Sequence, residues 1–458
     1  MLDASLLDRT VAIAREYLDQ LDGRHVGARA GIEELRSSLD LPLPDEGVAA
    51  EQVIEDLARA VGPGLVASAG PRYFGFVIGG AMPASLAADW LTSVWDQNAA
   101  IYAATPAASV AEAVCARWVV ELFGLPATSS VGFVTGGQAG NVTGLAAGRH
   151  AVLERGGWDV ERRGLTGAPP IRLLVGEEAH VTVIVAARLL GLGTDSVQRV
   201  PADAQGRMIP DALEEQLSDL RGPAIVCAQA GNIDTGAIDP IDEIAALAER
   251  HGAWCHLDGA FGLWAAASPR YREQLVGLER ADSWVADAHK WLNVPYDSSF
   301  AIVKDPEAHR AAMTVAAAYL PRDADEERWP AEWVPELSRR ARAFPVYAAL
   351  RSLGRRGVAR IIENCCERAA QLADLLSETP EAEILNEVTL NQVLVRFGDD
   401  GVTDQVIRAV QDDGVCWVGG TTFRGQRAMR FSVCNWATGA EDIERSAASI
   451  AAAARQAT

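Results

Sequence analysis

Five short runs in the middle of the chain constrain the fold more than any other feature: VGFVTGG (131–137), IRLLVGEEAH (171–180), AIVCAQAG (224–231), AWCHLDGAFG (253–262) and DSWVADAHKW (282–291). Each carries β-branched or aromatic residues and ends in glycine or polar residues. Helical patterns such as PIDEIAALAERHG (240–252) lie between them. Continuous apolar runs are what strands covered on both faces need, so the rhythm predicts a mostly parallel sheet between helical layers. In such a sheet the polar residues at the C-terminal strand ends gather along one edge, where ligands bind.

The flanks read differently. From Leu6 to about Ala60, helical patterns alternate with polar breaks such as LPLPDEG (41–47), and GPRYFGFVIGG (70–80) is an extended aromatic loop bracketed by glycines. After about Ala343 a long helix (345–378) precedes strands at 390–398, 414–423 and 428–435 and a terminal helix, the pattern of a smaller α+β domain. The expected organisation is a helical segment over 1–80, a large domain over 81–340 and a small C-terminal domain over 341–458.

The net charge of −21 comes without clustered Lys or Arg, which excludes nucleic acid and anionic membranes as partners. No apolar run approaches the roughly 18 residues of a membrane span. The start, MLDASLLDRTVAIAREYLDQL, lacks the basic and apolar regions of a signal peptide. The seven cysteines show no CxxC spacing for a metal, so a cytoplasmic chain with reduced thiols and no metal is expected.

Four strand ends carry chemistry. TGGQAGNVTGLAAGRH (135–150) has glycines at 136, 137 and 140 ahead of a helix, whose free N–H groups suit a phosphate; a plain connecting turn is the other reading. In EEAHVTV (177–183), His180 either lies over a planar ligand or caps the next helix. In HLDGAFG (256–262), Asp258 follows an apolar run; it either faces a cation or caps a helix, and Gly259 and Ala260 leave room for a flat ring. Lys290, in AHKW, is a snorkelling surface lysine or a pocket nucleophile. It lies 32 residues beyond Asp258 (258 to 290), about one strand–helix–strand unit, so both project toward the same edge. One ligand satisfies all four ends: pyridoxal 5′-phosphate, whose phosphate, ring nitrogen, ring face and aldehyde need an N–H-rich turn, a carboxylate, a stacking group and an amine.

On these motifs, together with RYFGF (72–76), GNIDTGAIDP (231–240), ADSWVADAHKWL (281–292) and MRFSVCN (429–435), the sequence resembles the group II pyridoxal-phosphate decarboxylases, the family of aromatic L-amino-acid decarboxylase and glutamate decarboxylase. The resemblance implies the fold-type I, aspartate aminotransferase-like architecture and a homodimer with active sites at the interface. It implies decarboxylation of an L-amino acid, with an aromatic one favoured. It makes Lys290 the Schiff-base lysine, Asp258 the pyridinium partner and His180 the stacking histidine. Gly137, Gln138 and Ala139 fall at the phosphate turn with His289 beside it, Ala260 near the ring and Asn232 beside cofactor or substrate. Tyr73 and Phe74 are expected at the substrate entrance, and Asn98 in a pocket wall. The chain departs from the family pattern in three places: Gln138 and Ala139 replace hydroxyl residues, Asp287 stands where animal relatives carry Asn, and no tyrosine aligns with the loop residue that reprotonates Cα. Pro330 falls near that point and Tyr319 is the nearest tyrosine upstream, so an aldehyde product is an alternative outcome.

Overall fold

The computed structural model describes residues 4–314 and 328–457. Seven strands make the large sheet: β1 (Ser130–Val134), β2 (Arg172–Gly176), β3 (Val197–Val200), β4 (Ala224–Gln229), β5 (Trp254–Asp258), β6 (Ser283–Asp287) and β7 (Ser299–Val303). Their order is β1-β7-β6-β5-β4-β2-β3. From β6 across to β3 all pairs are parallel, whereas β7 runs antiparallel to both β6 and β1. β1 therefore shares the direction of β6, and the C-terminal ends of β1, β2, β4, β5 and β6 meet at one edge.

The five anticipated runs form these five strands. The other two carry weaker signals. β3 is a four-residue edge strand with Gln198 and Arg199 at its centre, and β7 follows the β6 turn so closely that it reads as loop.

Five helices precede the sheet: α1 (Ala4–Gln20), α2 (Ile32–Leu39), α3 (Ala50–Val61), α4 (Pro83–Trp95) and α5 (Pro106–Phe123). Within and just after the sheet region come α6 (Gly137–Arg155), α7 (Val160–Arg163), α8 (Val181–Leu189), α9 (Pro210–Asp219), α10 (Ile241–Arg250) and α11 (Pro306–Met313). The two faces of β4 show why the strand is apolar throughout. Ile225 and Cys227 join the core that holds α6, while Val226 and Ala228 join the core that holds α10.

The C-terminal part packs α12 (Ala343–Ser377), α13 (Asp400–Asp413) and α14 (Ala440–Ala457) with an antiparallel sheet, β10-β11-β9-β8, from β8 (Ala382–Ile384), β9 (Gln392–Phe397), β10 (Gly419–Phe423) and β11 (Gln426–Ser432). Two sequence expectations are corrected here. The long helix is interrupted at Gly354, whose φ of 59° leaves the helical region. The strand expected at 414–423 begins only at Gly419, because Trp417 instead runs beside the aromatic loop, with its N–H on Arg72 O and its carbonyl accepting from Phe74 N. All seven cysteines are free and buried. No helix among the described residues is long and apolar enough to cross a membrane.

Candidate active site

β5 ends on Asp258 and β6 on Asp287, with Asp258 in register with Val285. Asp258 is 5% exposed. Its Oδ1 accepts from Ala260 N (3.2 Å) and its Oδ2 from Asn141 Nδ2 (3.1 Å). Among the described residues no cation pairs with it. Two neutral donors leave lone pairs on both oxygens, so this buried carboxylate is an acceptor for a cationic N–H.

His180 is the N-cap of α8, and its Nδ1 accepts from Thr182 Oγ1 (2.8 Å) and Thr182 N (3.4 Å). Burial holds its imidazole below the ordinary range, against the opposing pull of Asp258, and Lys290 and Arg430 add to the lowering. The ring is therefore neutral at pH 7. The capping reading holds: the cap fixes the ring at the edge beside Asp258, where the two residues line one crevice with Ala179, Gly206 and Gln229.

The glycine turn is the N-terminus of α6. Gly136 caps it without a side chain, so the N–H groups of Gly137, Gln138 and Ala139 have no intrahelical acceptor. Two groups of the β6 turn face it. A Cβ on Gly137 would lie 3.2 Å from Asp287 Oδ2 and 3.5 Å from Ala260 Cβ, and one on Gly136 would lie 3.5 Å from His289 Cε1. The structure thus brings Gly137, Gln138, Ala139, Ala260 and His289 to one spot.

Lys290 follows β6 in the turn before β7, and Nζ lies 2.9 Å from Asp287 Oδ2. His289 Nε2 is 3.6 Å from the same oxygen, its Nδ1 accepts from Ser298 N (3.2 Å), and its ring is stacked on Tyr296 at 4.4 Å.

Two of the expected residues, Phe74 and Asn98, sit differently. Asn232 uses its side chain locally: Oδ1 accepts from Asp234 N (2.9 Å) and Thr235 N (3.2 Å), and Nδ2 faces Gln229 Oε1 and Glu178 O. Phe74 is corrected from an entrance residue to a core residue. It is 1% exposed against Phe431, whereas Phe76, 58% exposed and stacked on Trp417, is the aromatic at the surface. Asn98 does not reach the Lys290 edge within this chain; its Oδ1 accepts from Arg339 N and its Nδ2 donates to Ser338 Oγ. Tyr73 is buried and stacks on the other side of this aromatic group, 5.1 Å from Trp417. Pro330 lies in a short 3-10 turn, and Tyr319 lies outside the described residues.

Sequence reading missed three groups. Asn141 donates to Asp258 from inside TGGQAGN, where the glycines drew the attention. Asn293 ties the Lys290 turn to both flanks: Oδ1 accepts from Gly80 N (2.6 Å) and Trp436 N (3.0 Å), and Nδ2 donates to Cys434 O (3.0 Å). Arg430 is buried, with Nη1 on Ile233 O (2.9 Å) and Nε 3.7 Å from Asp234. Its place on β11 gave no sign that it would reach the large domain.

A family model described as the pyridoxal-dependent decarboxylase conserved domain matches residues 33–397. The chain is 29% identical to the acidic amino acid decarboxylase GADL1 of Homo sapiens over 363 residues, covering 78% of this chain and 68% of that protein. It is 25% identical to tyrosine decarboxylase 2 of Narcissus pseudonarcissus over 445 residues, covering 93% and 88%. Its fold superposes on the crystal structure of Oryza sativa TDC with PLP and tryptamine with a TM-score of 0.92, at 22% identity over 99% of both chains.

Proposed function

Because the chain belongs to the pyridoxal-dependent decarboxylase family and is a pyridoxal-phosphate-dependent amino-acid carboxy-lyase, we propose that Lys290 is the amine that takes the cofactor's aldehyde and that the preferred substrate is an aromatic L-amino acid. The bound cofactor supplies an electron-withdrawing ring conjugated to the Cα that loses CO2. Every other part of the task falls to the chain's own side chains. The Asp258 carboxylate would face the ring nitrogen, where an anion favours the protonated form. His180 covers a ring face as a neutral imidazole. The N–H groups of Gly137, Gln138 and Ala139 and the ring of His289 hold the phosphate.

The observation that carries the assignment is the buried Asp258, without a cation among the described residues, at the same sheet edge as Lys290 and the open N-terminus of α6. The aromatic preference rests on two features. Tyr73, Trp417 and Phe76 form a continuous stack on the loop that abuts the Lys290 turn. Arg430, the cation that a second substrate carboxylate would need, is already partly neutralised by Asp234.

The homodimer expected from the resemblance is also part of this proposal. Helices α1, α2 and α3 bury no side chain within the chain, and α4 exposes Trp90, Leu91, Val94 and Trp95. Such a surface requires a cover.

Borohydride reduction of the loaded protein should fix the chromophore on the peptide bearing Lys290; attachment elsewhere would sink the assignment. Incubation with pooled amino acids under air and under argon then identifies the product. CO2 with an aromatic amine is expected, whereas aldehyde, ammonia and peroxide under air alone would mean that Cα is oxidised rather than reprotonated.

A further inference from the structure

Behind Asp258 runs a chain of hydrogen bonds whose direction the carboxylate sets, because Asp258 can only accept from the Asn141 amide. It starts at Trp254, whose indole Nε1–H can only donate and does so to Ser283 Oγ (2.9 Å). The Ser283 hydroxyl proton is then directed to His256 Nδ1 at 2.7 Å. His256 therefore carries its proton on Nε2 and donates to Asn141 Oδ1 at 2.9 Å. That bond orients the Asn141 amide, whose Nδ2 protons point to Asp258 Oδ2 and to Thr182 Oγ1, each at 3.1 Å. Thr182 Oγ1 lies 2.8 Å from His180 Nδ1, which also accepts from the Thr182 backbone N–H at 3.4 Å, so the hydroxyl proton points to that nitrogen. A flipped Asn141 amide would set its carbonyl oxygen against the Asp258 carboxylate, so both ends enforce the same order.

Asn141, His256 and Ser283 are fully buried, so water offers no alternative partners. Burial also pushes the His256 imidazole down to about 4, which keeps it neutral and able to accept at one nitrogen while donating at the other.

We propose that Asn141 is a positioning residue that couples the two groups facing the cofactor ring. One amide proton holds the Asp258 carboxylate in place, and the other, relayed through Thr182, confines His180 to the tautomer with its proton on Nε2. His180 then offers one N–H from Nε2, while Nδ1 stays occupied at the helix cap. The functional consequence rests on the pyridoxal-phosphate reading; the tautomer itself belongs to the chain alone.

The test reads the two arms separately in the full-length protein, with and without pyridoxal phosphate. Nitrogen-15 NMR of histidine-labelled protein, with His180 assigned from a His180→Gln variant, should show His180 protonated on Nε2 in both states. Thr182→Val leaves only the 3.4 Å backbone N–H on Nδ1 and should shift part of the population to the tautomer protonated on Nδ1. The same variant should lower kcat with little change in KM and keep the dissociation constant for pyridoxal phosphate within about twofold, because Asn141 still holds Asp258. Asn141→Ala should lose both arms, with the tautomer mixed and cofactor affinity reduced by roughly tenfold or more, the scale of a hydrogen bond to a buried charge. Wild-type His180 protonated on Nδ1, an unchanged tautomer in Thr182→Val, or wild-type cofactor affinity in Asn141→Ala would each overturn the proposal. A wild-type chain that shows the Nε2 tautomer but takes up no pyridoxal phosphate would refute the function proposed above and leave the relay standing.

Discussion

The ammonium of Lys290 sits 2.9 Å from Oδ2 of Asp287, a fully buried carboxylate whose Oδ1 has no hydrogen-bond partner among the described residues. Burial alone would raise the Asp287 carboxyl, but Lys290 and then His289 carry it below the usual range. The free chain thus balances its charge at the turn that faces Gly137. With Lys290 committed to the cofactor as proposed, Asp287 would be left as an anion beside the N-terminus of α6. Asp287→Asn should therefore tighten pyridoxal phosphate binding, by roughly tenfold. Fluorescence titration of the apoprotein measures it, and weaker binding would mean that the carboxylate assists loading.

The two neighbouring aromatics of the entrance loop should separate stability from function. Phe74→Ala removes a ring packed against Phe431 and should cost about 3–5 kcal/mol in urea unfolding. Phe76→Ala should leave stability within about 0.5 kcal/mol and raise KM for an aromatic substrate. The reverse pattern would place the substrate on the other side of the loop.

Gly79 donates its N–H to His289 O (3.3 Å), and a Cβ there would overlap the carbonyl oxygen of Lys290. Neither partner is a flexible side-chain end, so Gly79→Ala must displace the lysine turn itself. Cofactor occupancy should fall while the far-ultraviolet circular dichroism is kept. Full occupancy would show that the turn yields at no cost.

Two buried imidazoles give the fold an acid limit, which a buried carboxyl partly offsets. Burial pushes the imidazoles of His256 and His309 down to about 4 and about 3, so the unfolded chain takes up protons that the native chain refuses as pH falls below about 6.5. Asp239, raised to about 6 by burial, acts the other way and adds stability as pH falls through 6. The net loss from pH 7 to 4 is on the order of 4 kcal/mol. Urea midpoints across that range should decline, and Asp239→Asn should steepen the decline. A flat profile would contradict the burial of both rings.

Placing charge on the outer face of α4 tests the assembly. Leu91→Asp with Val94→Asp, both exposed in the single chain, should shift sedimentation from dimer to monomer with the fold intact. An unchanged dimer would move the interface elsewhere.

Much of the fold was legible because it rests on periodicity. The five continuous apolar runs became β1, β2, β4, β5 and β6, and the residues that close them, His180, Asp258 and Lys290, reached one edge as parallel pairing requires. What was not legible depends on tertiary placement. Phe74 and Phe76 have the same local pattern, and only the packing of β11 decides which one is buried. Asn98 reads as a pocket residue until the segment at 338–339 takes up its side chain. Asn141 looks like one more polar residue in a glycine-rich turn, because its partners His256 and Asp258 lie more than a hundred positions away.

Asn293 makes the Lys290 turn depend on segments far apart in the sequence. Its carboxamide joins Gly80, the Lys290 turn and Cys434–Trp436, so the turn is complete only when segments more than three hundred and fifty positions apart have met. The turn is thus held from three places at once, and one side chain carries all three attachments.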